Sequence, residues 1–316
     1  MNSSPEETKE LISKSRPNLR EVSVKQYEAN LRKLKKLFNT DNYNFLKDPS
    51  KVKDKINDLH YTTQRNMYNA IIVLLMAIDD DGKMKKLIET YSEMRDEGNQ
   101  KYEEDNKSGI ISEKQGKNFT TMEELNSMIA TLKKEVLPLK KKKRLTKPDI
   151  SKLRAYVLFS MLTRIPTRND ASNMIYTSQK EYKKLSEKDK ETTNYLVDER
   201  GNMKFIYNYY KTSKKYSENI VPVPQDLKPI MRMYIKLMDY KLNDNIFPMT
   251  KNALSQLLLK QSKRLINKSI SSTLIRKIYL SSKYSGLKEE MEKDSKLMMH
   301  DTSTQQAVYV KKESKT

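Results

Sequence analysis

A single β signal inside an otherwise helical pattern is what most narrows the folds open to this chain. Asn194–Val197 and Met203–Tyr210 flank Asp198-Glu-Arg-Gly-Asn202, and two such runs around a Gly-containing turn predict a hairpin. Asn219–Val223 predicts a third strand, pairing back after a basic tip, Lys211-Thr-Ser-Lys-Lys-Tyr-Ser217. Everywhere else apolar residues recur at helical spacing. The expected fold class is mainly α with a small antiparallel β-meander. The meander falls in an α+β domain over 148–316, preceded by an all-α N-terminal domain over 1–136.

Capping residues place the helices. Residues 1–20 read as a short polar helix or a frayed tail. A capping box at Ser23-Val-Lys-Gln26 precedes Tyr27, Leu31, Leu34 and Phe38 at helical spacing. Asp48-Pro49 interrupts the chain, and a short helix follows to about Leu59. Thr62-Thr63 then caps an apolar helix with Met67, Ile71, Leu74, Leu75 and Ile78 on its buried stripe, closed by Asp79-Asp80-Asp81-Gly82. A polar helix spans 84–106, and Thr121-Met-Glu-Glu124 opens another to about Val136. Thr146-Lys-Pro-Asp149 caps a helix ending near Ile165-Pro166, with a new segment entered at Thr167-Arg168. After the meander, helices are expected at 225–242, 250–266, 271–284, 287–298 and 303–311.

Charge divides the 316 residues unevenly. Lys plus Arg number 62 against 41 acidic residues, a net +21. Residues 1–130 hold 22 of each sign, so the whole excess lies beyond residue 130. That half reads as built for a polyanion. The N-terminal half is itself dipolar, basic before residue 70 and acidic after it, so its DNA-facing side is expected in the first part, around Arg65. Leu137-Pro138-Leu139 and the run Lys140, Lys141, Lys142, Lys143, Arg144 mark a basic linker over 137–147 that can lie along phosphates.

Composition removes several classes. With no cysteine, disulfide scaffolds, thiol nucleophiles and Cys-ligated zinc are excluded. Two histidines, His60 and His300, are too few for a His-rich metal site, so no metal and no cofactor are expected. Six glycines and no Gly-rich loop argue against a nucleotide-driven enzyme. The longest apolar run, Ala70–Ile78, is too short for a membrane span, and the first residues do not read as a signal peptide, so an intracellular protein is expected. Abundant Lys, Asn, Ile and Tyr suggest an AT-rich source, a virus or a mobile element.

Five polar positions stand out in the basic half. Arg168 follows an apolar helix, Lys211 ends a strand, and Arg276 lies in the helix Ser272-Thr-Leu-Ile-Arg276. His300 and Tyr309 follow, with a capping box Ser303–Gln306 placing Tyr309 on a short helix. In order, type and context these match the pattern of the tyrosine recombinase (phage-integrase) family, which the sequence resembles over essentially its whole length. Two positions depart from that pattern. Thr273 stands where the family usually has His, and Ala171 stands where an acidic residue is usual, with Asp170 beside it as the substitute. Arg164 competes with Arg168 for the first Arg, and Lys214 and Lys215 compete with Lys211.

The resemblance implies a helical core-binding (SAM-like) domain, a catalytic domain, and cleavage of DNA through a covalent 3′-phosphotyrosine. The chemistry suits the residue types. Arg168, Arg276 and His300 offer donors to the charge that develops on phosphate oxygens, while Thr273 adds a hydroxyl. Tyr309 is the nucleophile, and Lys211 can protonate the leaving 5′ oxygen. The implied partners are double-stranded DNA and further copies of the chain, as a tetramer on two duplexes. A type IB topoisomerase and a catalytically inert DNA-binding protein of the same fold remain alternatives.

Overall fold

The structure, a computed structural model, describes residues 4–79, 81–107 and 113–297. The chain forms two compact units, Met1–Ile111 and Ser112–Thr316.

The first unit is all helical: α1 (Pro5–Ser15), α2 (Glu21–Leu37), α3 (Pro49–Ile56), α4 (Tyr61–Ile78) and α5 (Lys85–Lys107). Its centre is α4, in which Met67, Tyr68 and every residue from Ala70 to Leu75 are buried. An all-apolar circumference is what a helix needs when neighbours cover it on several sides; here α1, α2 and α5 pack on it. The Tyr91 hydroxyl on α5 donates to the Leu46 carbonyl at 2.9 Å, so that buried phenol is satisfied. Two caps differ from expectation. Helix α2 starts two residues before Ser23, after Arg20, with no side-chain cap. Helix α4 is capped by His60 rather than by Thr62-Thr63: His60 Nδ1 accepts from the Thr62 N–H at 3.3 Å.

The second unit contains α6 (Glu113–Gly116), α7 (Met122–Val136), α8 (Lys147–Leu162), β1 (Ile175–Ser178), α9 (Gln179–Lys184), α10 (Glu187–Thr192), β2 (Tyr195–Glu199), β3 (Asn202–Tyr207), α11 (Ser213–Tyr216), β4 (Asn219–Pro222), α12 (Lys228–Leu237), α13 (Lys251–Ile266) and α14 (Ser272–Leu297). Helix α8 is its axis, with Leu153 and all of Ala155–Leu162 buried. Helix α7 belongs here too. Its Leu125, Met128, Leu132 and Val136 join the α8 core, and Arg264 of α13 clasps Glu135 through two hydrogen bonds of 2.7 and 2.8 Å. The compact units therefore part near residue 111, upstream of the expected boundary at 136. A run of cations suggests a linker, but apolar α7 decides where the chain is anchored.

The basic run is itself part of this unit. Leu137–Lys141 forms a 3-10 turn with Leu139 buried, and Lys142 grips Asp149 at 2.8 and 2.9 Å. Thr146 and Asp149 cap α8 reciprocally, as expected. The Asp149 carboxyl is held down at about 2, first by Lys142, then by the N–H and hydroxyl of Thr146. A depressed carboxyl stabilises the fold above its unfolded value of about 4 and loses that contribution as pH falls towards about 2. A Thr146→Ala protein is expected to melt about 2–4 °C lower at neutral pH, the usual cost of a lost cap. Asp149→Ala should also melt lower, and thermal scans should show its deficit closing between about pH 4 and pH 2.

The sheet is four-stranded and mixed, in order β1-β2-β3-β4. The expected meander is present as β2-β3-β4, all antiparallel. The fourth strand, β1, pairs parallel to β2, with α9 and α10 as the crossover. Its outer edge is covered by 243–246, whose backbone bonds Met174 and Tyr176, so the sheet presents no bare edge there. The β2–β3 turn needs positive φ at both central residues, 50° at Arg200 and 88° at Gly201. A side chain at 201 would also strike the Arg232 guanidinium at 2.9 Å.

Helix α14 runs unbroken for 26 residues where two helices meeting near 285 were expected. Gly286 lowers helix propensity but removes no hydrogen bond, so it does not end the helix by itself. From Leu280 onward every side chain the structure describes is exposed except Met291. The expected helix at 303–311 lies outside the described residues.

Candidate active site

Arg168 lies in the segment between α8 and β1. Residues 169–173 after it form turns leading to β1. Its side chain is exposed and makes no hydrogen bond or ion pair among the described residues. Arg164, the competing residue, is committed elsewhere. It donates to Asp226 at 2.6 Å and to the Ser160 carbonyl at 2.8 Å, leaving Arg168 as the cation free to meet a ligand.

Lys211 sits between β3 and α11, exposed and likewise without a partner. Lys215 is exposed one turn later, with its Nζ 5.2 Å from the Tyr216 ring centre. The Lys214 side chain lies outside the described residues.

One side chain, unremarked in the sequence, ties the Arg168 segment to the Lys211 segment. Asn194, only 4% exposed, precedes β2. Its Nδ2 donates to the carbonyls of Asp170 (2.8 Å) and Tyr209 (3.0 Å). Its Oδ1 accepts from the N–H groups of Asn208 (2.9 Å) and Tyr209 (2.8 Å). A primary amide has two donor hydrogens and an acceptor oxygen with two lone pairs, so all of its capacity is used. The two backbone anchors, Asp170 and Tyr209, each stand two residues from a candidate cation.

Helix α13 adds a second tie. The Asn169 side chain donates to the Lys251 carbonyl (2.9 Å) and the Ser255 hydroxyl (2.7 Å). Lys251 Nζ reaches Asp170 at 3.4 Å and lies 5.2 Å from the Tyr209 ring centre. Asp170 is 6% exposed and its ion-pair partner is Lys251, so the carboxylate expected to support Arg168 supports the segment that carries it. Tyr207, fully buried at the end of β3, has its hydroxyl pushed strongly up by burial.

Arg276 and Thr273 sit one turn apart on α14, Arg276 half-buried and Thr273 exposed. Leu274, Ile275 and Ile278 turn the opposite way into the core and fix that helix in the unit. Neither Arg276 nor Thr273 has a side-chain hydrogen bond or ion pair among the described residues, so none ties them to the Asn194 cluster. His300 and Tyr309 lie outside the described residues.

Among the cations of the basic run, Lys140, Lys141, Lys143 and Arg144 are exposed without ion pairs among the described residues, whereas Lys142 is spent on Asp149. Arg65, in the first unit, is half-buried with its guanidinium 4.4 Å from the Tyr102 ring centre. It packs on that ring and also lines a cleft of the first unit. Among the described residues no cluster of three or more His, Asp or Glu could hold a metal. No described helix is long and apolar enough to cross a membrane.

No family model matches the sequence, and no curated protein matches it. Among solved structures, a crystal structure of XerA recombinase is similar at 12% identity over 98% of this chain and 95% of that one, with a TM-score of 0.34, a likeness too slight to carry functional information.

Proposed function

We propose that the chain breaks and rejoins DNA as a tyrosine-type site-specific recombinase or integrase. Tyr309 Oη gives up its proton to solvent and attacks the scissile phosphorus, the bond to the 5′ oxygen breaks, and Lys211 gives that oxygen its proton. The 3′-phosphotyrosyl bond retains the energy needed for rejoining when a new 5′ hydroxyl attacks. Arg168, Arg276 and His300 donate to the non-bridging oxygens, and Thr273 adds a neutral donor at the position where an imidazole is usual. Lys140, Lys141, Lys143, Arg144 and Lys215 contact the backbone of double-stranded DNA, and the first unit, Met1–Ile111, supplies a further DNA-binding surface. Copies of the chain assemble on two duplexes as a tetramer.

The observation that carries this reading is the Asn194 tie. It spends a fully satisfied buried amide on holding together the segments of two exposed cations that have no partners of their own. Unpaired cations on a rigid support are what anion binding requires.

The test is a nicked suicide duplex bearing the target site. Wild-type protein should form a covalent adduct that survives denaturant, and peptide mapping should place it on Tyr309. Absence of any adduct overturns the enzymatic reading and leaves a DNA-binding protein. Relaxation of supercoiled plasmids irrespective of sequence points instead to a type IB topoisomerase.

A further inference from the structure

We propose that the first unit contains a binding cleft for a single nucleotide, recognised by phosphate and base together. The cleft has a volume of about 680 Å³ and lies between the end of α3, the start of α4 and the middle of α5. That is the size of a small-molecule site. All of its lining comes from the first unit.

Three cations line it: Lys53, Arg65 and Lys101. Glu97, which Lys53 meets at 3.3 Å, is the acid in the lining, and Asp105 accepts from the Tyr61 hydroxyl at 2.5 Å, so three cations face two carboxylates and a small surplus of positive charge remains. Arg65 is the central group. No hydrogen bond engages its side chain among the described residues; its Nε is buried, and the terminal nitrogens are the donors that a ligand in the cleft can meet. A guanidinium that lines a cleft with its terminal donors unspent is a ready contact for an anion. Gly98 lets α5 approach this closely, because a Cβ there would come within 3.3 Å of the Arg65 Cβ.

The cations are interleaved with aromatic faces. The rings of His60 and Tyr61 lie 4.5 Å apart at 31°, and Lys101 Nζ stands 5.3 Å from the Tyr61 centre. Adjacent aromatic and cationic groups suit a ligand that is anionic at one end and a flat ring at the other, since bases stack on such faces. Gln64 adds a base-reading group. Its Nε2 donates to the carbonyls of Asn57 (2.9 Å) and Leu59 (2.6 Å), which leaves Oε1 as an acceptor. An acceptor suits a base with an exocyclic amine, and adenine is the natural probe.

Titration calorimetry of the full chain with AMP, adenosine and inorganic phosphate tests this. AMP should bind with a Kd below about 1 mM, at least tenfold tighter than either adenosine or phosphate. Lys101→Glu and Arg65→Met should each weaken AMP at least tenfold, while Lys14→Glu on α1 leaves it unchanged. Lys101 is exposed, so its variant reports even if Arg65→Met fails to fold. Single-stranded (dA)5 that displaces AMP identifies an unpaired nucleotide of a strand as the occupant; failure to displace identifies the free nucleotide. Displacement by blunt duplex as effective as by (dA)5 overturns the proposal, because a paired base cannot enter the cleft. So does phosphate binding as tight as AMP, absence of saturable AMP binding, or equal AMP affinity in all variants.

Discussion

A Tyr309→Phe protein is expected to bind the suicide duplex as wild type does and to form no covalent adduct. The ring is kept and only the nucleophilic oxygen is lost, so the change isolates chemistry from binding. An adduct that persists in this variant would remove Tyr309 from its role. In the same assay Arg168→Ala should slow adduct formation by about 10²–10³-fold, the usual cost of deleting one donor to a developing oxyanion. Arg276→Ala should fall in the same range. Arg164→Ala is the informative contrast. Arg164 is already engaged with Asp226 and Ser160, so its loss should lower stability more than single-turnover rate. If Arg164→Ala slowed the chemistry as much as Arg168→Ala, the choice between the two would have to be reversed.

Asn194→Ala is expected to lower the stability of the second unit by about 2–4 kcal/mol. The substitution strands two carbonyls and two N–H groups around a buried site, each costing about 1–3 kcal/mol before the backbone relaxes. A purely structural role would end there. If Asn194 positions Arg168 and Lys211, adduct formation measured well below the melting temperature should also fall, by about tenfold or more, with duplex affinity preserved. Asn194→Asp separates the contributions: it keeps the acceptor of the Asn208 and Tyr209 N–H groups and loses the donors to Asp170 and Tyr209. Its stability should lie between those of Asn194→Ala and wild type. A single-turnover rate equal to wild type in both variants would reduce Asn194 to a packing residue.

Local chemistry made much of the fold legible in the sequence. The Arg200-Gly201 turn, the capping residues Thr121 and Thr146, and the apolar stripes of α4 and α8 each act through neighbours within a few positions. Strand β1 was not legible, because four residues cannot establish a period and its partner lies twenty positions away. The placement of α7 was missed for a related reason: the Lys140–Arg144 run is a louder local signal than the distant side chains α7 packs against. His60 caps α4 through an N–H only two residues on, but an imidazole is not among the residue types that announce a cap. At the candidate site, residue type and order singled out Arg168, Lys211 and Arg276, whereas Asn194 and Lys251 could not be seen. Their roles come from contacts across 14 to 82 positions, and nothing in Thr192-Thr-Asn194-Tyr or Thr250-Lys251-Asn announces them.

The unbroken course of α14 turns the proposed role of Tyr309 into a question of reach. Leu297 lies twenty-one residues beyond Arg276 on one helix, a separation of about 31 Å at 1.5 Å per residue. Twelve residues then lead to Tyr309, and fully extended they span about 40 Å. If 303–309 take the helical spacing their sequence predicts, the span shrinks to about 27 Å. A straight α14 thus leaves this chain's own Tyr309 almost no slack to meet a phosphate held by its own Arg276. The tether slackens if α14 bends at Gly286, ten residues past Arg276, where a helix is intrinsically weakest. Without such a bend, the proposed chemistry would need Tyr309 from another copy at that phosphate.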